Sequence, residues 1–287
     1  MEEANFPNIL SKYFGSKSKI VISIRTNINK KSGLYKKLIK FLYPKADFIT
    51  PIVKEGSQNL IQNYGINPKR IQNIYNMFDI KVIQEKSKED LGDYQELFNN
   101  GKYTFINIGK FINAKNQKLL LNAFDKFHQK NPNTQLIILG DGELKEELKN
   151  QRKSLSSKED IYFLGVHENP YKFLANSDAY ISSSSWEGMG RVLVEAMACG
   201  LSIISTDHPT GAKEIMKKDI QSFEMVDGVS KDKYGILVPV DDEKSLTQAM
   251  QDLYDDKDLQ GHYSKQSKLR AKDFDVENII NEWENVL

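Results

Sequence analysis

From residue 103 onward the chain alternates short β-branched runs with longer amphipathic stretches, and this alternation limits the possible folds more than any other feature. The pattern predicts strands over 103–108, 135–139, 161–164, 179–182, 202–205 and 235–238. It predicts helices over 116–130, 143–153, 169–176, 190–199, 211–217, 242–256 and 258–272. Strands and helices at this spacing imply a parallel, doubly wound α/β sheet. Such sheets bind ligands in the loops that leave the carboxyl ends of their strands. The chemistry is therefore expected in 109–115, 140–143, 165–168, 183–190 and 206–211.

The first third of the chain is less regular. Strands are expected over 20–25, 47–53 and 71–75, and helices over 33–43 and 54–64, the second stopped by Gly65 and Pro68. Residues 76–100 are polar and charged. With 287 residues the chain is long enough for two domains. The division expected is 1–82, a linker over 83–100, and 101–287, with the last helix packing back on the first part.

Composition excludes several classes. No apolar run approaches the length of a membrane span. The start, MEEANFPNIL, is acidic and lacks the apolar core of a signal peptide. One cysteine, Cys199, leaves no internal disulfide and no multi-cysteine metal site. The four histidines form no H-x-x-x-H pair, so no metal is expected. These features lead to the expectation of a cytoplasmic protein.

Net charge is +1, yet residues 1–90 sum to +8 and residues 91–287 to −7. Residues 11–45 hold ten basic residues and no acidic one. Lys36, Lys37 and Lys40 there surround Leu34, Leu38, Ile39, Phe41 and Leu42. A basic helix with an apolar stripe suits an anionic membrane surface or a phosphate-bearing partner. Nucleic acid is not expected, because the rest of the chain is acidic and carries no nucleic-acid motif.

Two loops carry the strongest chemistry. The first runs from Gly109 to Asn116 between a strand and a helix. Lys110 and Lys115, five apart beside a helix N-terminus, can hold a diphosphate together with the helix dipole. It is neither a G-x-G-x-x-G turn nor a Walker loop, which argues against a dinucleotide-dependent dehydrogenase. The second is SSSSWEGMGRVLVEAMACG, from Ser182 to Gly200. Gly188 and Gly190 bracket Met189 just before a helix, where backbone N–H groups can approach an anion. Glu187 and, eight residues on, Glu195 can accept hydrogen bonds from sugar or ribose hydroxyls.

The pattern E-G-x-G-x-x-x-x-E-A-M-A-x-G resembles the motif of retaining glycosyltransferases of family 4, which have the GT-B fold. GKFINAKNQKLLLNAF, LIILGDGELKEELK, IYFLGVHENPYKFLANSDAYISSS and STDHPTGAKEI follow in that family's order. The match is strong over about residues 100–260 and loose over 1–82. ENPYKFLA, STDHPTGAKEI and FLYPKADFITP look most like the subgroup that extends polyprenyl-diphosphate-linked or surface oligosaccharides.

The resemblance implies roles residue by residue. Glu187 would contact donor-sugar hydroxyls, the Gly188-Met189-Gly190 backbone the donor diphosphate, and Glu195 the ribose. Lys110 and Lys115 match the basic pair that neutralises the diphosphate, with Gly109 at the turn before them. The family more often has arginine at the first of these positions; lysine keeps the charge and loses the bidentate fork. Leu164 and Gly165 match the loop whose backbone faces the nucleobase. Arg25 would face the donor phosphates across the cleft, and Glu3, Asn5 and Asn27 match acceptor-side loops. The donor would be a UDP-linked hexose or N-acetylhexosamine, with no cofactor and no metal, and the acceptor a lipid-linked or surface glycan. The family's first domain begins with a glycine-rich loop that this sequence lacks. The resemblance therefore implies a partial first domain beside a complete second one, short by roughly 90 residues of a typical domain. A truncated, inactive nucleotide-sugar-binding module, or a partner subunit of another transferase, is the alternative reading.

Overall fold

The computed structural model describes residues 4–26, 28, 31–217, 220 and 222–287. Its first unit is built around two parallel strands, β1 (Val21–Ile24) and β2 (Phe48–Pro51), paired in register from Val21 with Phe48 to Ile24 with Pro51. Helix α1 (Asn5–Leu10) precedes them, α2 (Gly33–Leu42) links them, and α3 (Lys54–Tyr64) follows. Ser32 caps α2 by accepting the N–H of Tyr35, and Gly65 ends α3 in the left-handed conformation. Ile9, Ile22, Ile39, Ile49 and Leu60 make the unit's core.

Residues 71–75, expected as a strand, run beside β2 but share only one bridge with it, Ile71 to Ile49. Gln72 and Ile74 N–H donate to the carbonyls of Ile49 and Pro51, both at 3.0 Å, but Pro51 has no N–H to return a bond, and Asn73 Nδ2 also donates to its carbonyl.

The second unit opens with α4 (Ile80–Lys86) and α5 (Gln95–Phe98). The stretch expected to be a linker, 83–100, is thus ordered against a core: Ile83, Leu91 and Phe98 are buried in the larger apolar cluster. Far apart in a stretch that is mostly polar and charged, these side chains give no periodic signal in the sequence.

Thereafter the strand–helix rhythm holds. β3 (Tyr103–Ile108), α6 (Gln117–His128), β4 (Thr134–Leu139), α7 (Lys145–Ser154), β5 (Ile161–Gly165), α8 (Tyr171–Ala175), β6 (Ala179–Ser182), α9 (Arg191–Cys199), β7 (Ser202–Thr206) and α10 (Ala212–Lys217) follow in turn. A charged edge strand, β8 (Ser230–Asp232), pairs antiparallel with β9 (Gly235–Val238). The other strands are parallel, and the order across the sheet is β5-β4-β3-β6-β7-β9-β8. Both sheet faces are covered by helices, which explains why the central strands are buried throughout.

α11 (Glu243–Asp255) and α12 (Lys257–Ala271) complete this unit. The last helix, α13 (Val276–Glu284), returns to the first unit, where Ile279 and Val286 pack on Ile74. The chain thus crosses between units twice, and the crossings lie side by side. Phe78 N–H donates to the carbonyl of Phe274 at 3.0 Å, and Val276 N–H to that of Phe78 at 2.8 Å.

Candidate active site

Between β3 and β6 the sheet order reverses: the chain goes from β3 outward through β4 and β5, then returns to β6 and moves the other way. Loops leaving neighbouring strands in opposite directions open a crevice between them. The loop after β3 carries Gly109, Lys110 and Lys115, and the loop after β6 carries Glu187 to Gly190. Ser185 N–H donates to the carbonyl of Ala114 at 2.8 Å, and Ser183 Oγ to that of Lys115 at 2.9 Å, which fixes one loop against the other.

Glu187 lies at the centre of this crevice. Lys115 Nζ forms an ion pair with its Oε1, and Ser184 Oγ donates to the same oxygen at 2.7 Å. Thr210 Oγ1, from the loop after β7, donates to its carbonyl. Three loops therefore fix this one residue, two of them at its carboxylate and the third at its backbone. His208 beside it is buried, with neither ring nitrogen hydrogen-bonded. Burial pushes its pKa down to about 4, so the ring is neutral at pH 7.

Gly188 marks where the two units meet. A Cβ there would come within 2.6 Å of the carbonyl oxygen of Arg25. Arg25, at the end of β1, donates through Nη1 to Asn76. Gly190, at φ 78°, is the N-cap of α9 and turns the loop into the helix. Glu195 falls in that helix's second turn, 3.7 Å from Arg191 Nη2. Burial raises its carboxyl pKa, opposed by Arg191. The buried Tyr180 interacts electrostatically with both Glu187 and Glu195.

Two clefts open from the crevice. One, of about 310 Å³, is lined by Gly109, Lys110, Gly140, Asp141, Gly165 and His167. The other, of about 380 Å³, is lined by Thr26, Lys31, Lys115, Trp186, Glu187 and Gly188. Leu164 does not line the first cleft; its carbonyl lies 3.0 Å from His167 Nε2. Of the acceptor-side expectations, Asn5 is buried and donates to the carbonyl of Ser23 at 2.9 Å and to Tyr43 Oη at 3.2 Å. It ties α1 to β1 and does not face the cleft, because α1 lies against the sheet. Glu3 and Asn27 lie outside the described residues. Sequence reasoning did not single out Thr26, Asp141 or Trp186; it read His167 as structural or surface, and Lys31 only as part of the basic segment 11–45. Trp186 offered a signal, as an indole directly before Glu187.

A second polar cluster joins the units behind this crevice. Glu214 accepts the N–H groups of Lys54 and Glu55 at 2.8 and 2.9 Å and the Tyr75 hydroxyl at 3.0 Å. Burial, then the nearby Glu214, pushes the Glu55 carboxyl up to about 7.

Comparison with known proteins agrees with this architecture. The family model of glycosyl transferases group 1 matches residues 88–270. An uncharacterized glycosyltransferase of Methanocaldococcus jannaschii is 34% identical over 96% of this chain and 73% of its own length. From Campylobacter jejuni, N-acetylgalactosamine-N,N'-diacetylbacillosaminyl-diphospho-undecaprenol 4-alpha-N-acetylgalactosaminyltransferase is 32% identical over 98% of this chain and 73% of its own. The crystal structure of Anabaena HepE in complex with UDP superposes with a TM-score of 0.84 at 20% identity, covering all of this chain and 77% of HepE. The fold is that of the GT-B glycosyltransferases. On the strength of the family match and these relatives, the chain belongs to the glycosyl transferases of group 1 and is a glycosyltransferase.

Proposed function

We propose that this chain is a retaining, family 4 glycosyltransferase that moves a hexose or N-acetylhexosamine from a UDP-sugar to a lipid-linked or surface-polysaccharide glycan. What carries this reading is the placing of Lys110 in one cleft and of Lys115, Glu187 and Gly188 in its neighbour, both at the switch point of the sheet. In it the cleft of Gly109 and Gly165 takes the nucleoside, with the Leu164 loop backbone facing the base and Glu195 taking the ribose. Lys110, Lys115 and the N–H groups opening α9 face the diphosphate, with Arg25 opposite. Glu187 binds donor-sugar hydroxyls. The C1–oxygen bond to the diphosphate breaks, the acceptor oxygen joins C1 on the same face, and its proton passes to the departing phosphate. The cations and the helix dipole stabilise the charge that develops on UDP. The step needs neither a protein nucleophile nor a metal.

The acceptor class rests on two further supports. The C. jejuni relative is named for transfer to a diphospho-undecaprenol-linked sugar. On α2, Leu34, Leu38 and Phe41 form a stripe exposed by 70, 37 and 67%, flanked by lysines. No helix among the described residues is long and apolar enough to cross a membrane. We therefore place the enzyme peripherally on the inner face of the cytoplasmic membrane, held through residues 11–45.

The test is incubation with a panel of UDP-sugars and a polyprenyl-diphosphate-linked sugar, followed by NMR of the new linkage. The expected product keeps the donor's anomeric configuration. An inverted linkage would refute retention, and no transfer from any UDP-sugar would refute the assignment.

A further inference from the structure

The larger of the two clefts holds an arrangement that the donor does not explain. Trp186 is 39% exposed although it sits between two fixed neighbours. Ser185 is held by the Ala114 carbonyl and lies with its Oγ 3.4 Å from Asp241, while Glu187 is held by Lys115 and Ser184. The indole is therefore presented by a rigid backbone. Across the cleft stand Thr26 and Lys31, from the loop between β1 and α2. The exposed stripe begins three residues after Lys31, at Leu34, and runs along α2 to Phe41. An aromatic face and a cation thus line one cleft with Glu187, and an exposed apolar stripe starts three residues along the chain from that cation.

We propose that Trp186 and Lys31 form the acceptor subsite of this enzyme. The indole stacks on the acceptor pyranose and Lys31 meets its diphosphate, while the Leu34–Phe41 stripe faces the lipid. This rests on the transferase reading. The geometry favours the acceptor over the donor. Apart from Arg25, which does not line this cleft, the donor groups are assigned to second-unit loops, whereas Thr26 and Lys31 of the first unit close the cleft, so a second molecule enters there. An indole suits a sugar ring because its flat apolar face covers the ring's C–H groups with little loss of side-chain freedom. An ammonium suits a diphosphate through charge-assisted hydrogen bonds.

The chain has two tryptophans, Trp186 and Trp283. In a Trp283→Phe variant the intrinsic fluorescence reports Trp186 alone. The probe is a short-chain polyprenyl-diphospho-N-acetylhexosamine, titrated with UDP present. The expected result is a change in Trp186 emission. By calorimetry in the native background, Trp186→Ala should weaken the probe roughly tenfold, about 1.4 kcal/mol, with UDP-sugar affinity unchanged. Trp186→Tyr should recover most of the loss. Lys31→Ala should weaken the probe but not the same sugar lacking the diphosphate. Unchanged probe affinity in Trp186→Ala, or an equal loss of UDP-sugar affinity, would overturn the subsite. Because this is a binding measurement, it separates the two ideas. Probe binding without transfer from any donor refutes the transferase reading alone. Transfer with an unaffected Trp186→Ala variant refutes the subsite alone.

Discussion

Glu187 and Lys115 neutralise one another across the switch point, and a bound diphosphate would have to share that lysine. Lys115→Ala is therefore expected to weaken UDP binding by roughly 1–3 kcal/mol, read by calorimetry. Gly188 predicts a steric effect. Its added Cβ would meet Arg25 backbone at 2.6 Å, so Gly188→Ala should lower the thermal midpoint. Gly261, inside α12 with nothing within 4 Å, is the control: Gly261→Ala should raise stability by about 0.5–1 kcal/mol. Glu55 predicts a pH dependence. Its pKa rises from 4.5 to about 7 on folding, so the folded chain binds more protons between those values. Stability then falls as pH rises through that window, and Glu55→Gln should remove that part of the slope in thermal melts. The loops that carry Lys110, Lys115, Glu187 and the glycines were legible, because they leave the ends of two neighbouring parallel strands where the sheet order reverses. Lys31 and Thr26 were not, because their place in the cleft depends on how the first unit folds onto the second.

Long periodic segments were legible for a physical reason: buried parallel strands and amphipathic crossovers repeat their patterns over many residues. The short elements were not. α4 and α5 contribute scattered apolar side chains, and β8 is a charged edge, Ser-Lys-Asp, whose strand geometry comes only from pairing with β9. The start of α3 shows an element stabilised from outside its own sequence. Its residue before the helix, Val53, gives no side-chain cap, and Glu214 of α10 accepts the first N–H groups instead. Glu214→Ala leaves those donors without that partner and is expected to cost about 1–3 kcal/mol in urea unfolding. On α2 the outward stripe makes a separate prediction. Leu34→Ser with Phe41→Ser should leave the circular dichroism unchanged and abolish co-sedimentation with phosphatidylglycerol vesicles; retained co-sedimentation would remove the stripe from the membrane contact.

The crossing at Phe78 and the return at Val276 tie the two units side by side, and the Glu214 contacts to Lys54, Glu55 and Tyr75 join them again behind the crevice. The contact between Gly188 and Arg25 lies at the cleft instead. A rotation that parts the units at the cleft is then easiest about a line through these two joints. The molecule is built like a book, with Phe78 and Val276 in the spine and the Arg25–Gly188 contact at the page edges. Leverage follows from this shape: a few degrees at the spine become a large gap at the margin. Residues far from the cleft could thus set how fast the pages part, while those at the margin decide what is held between them.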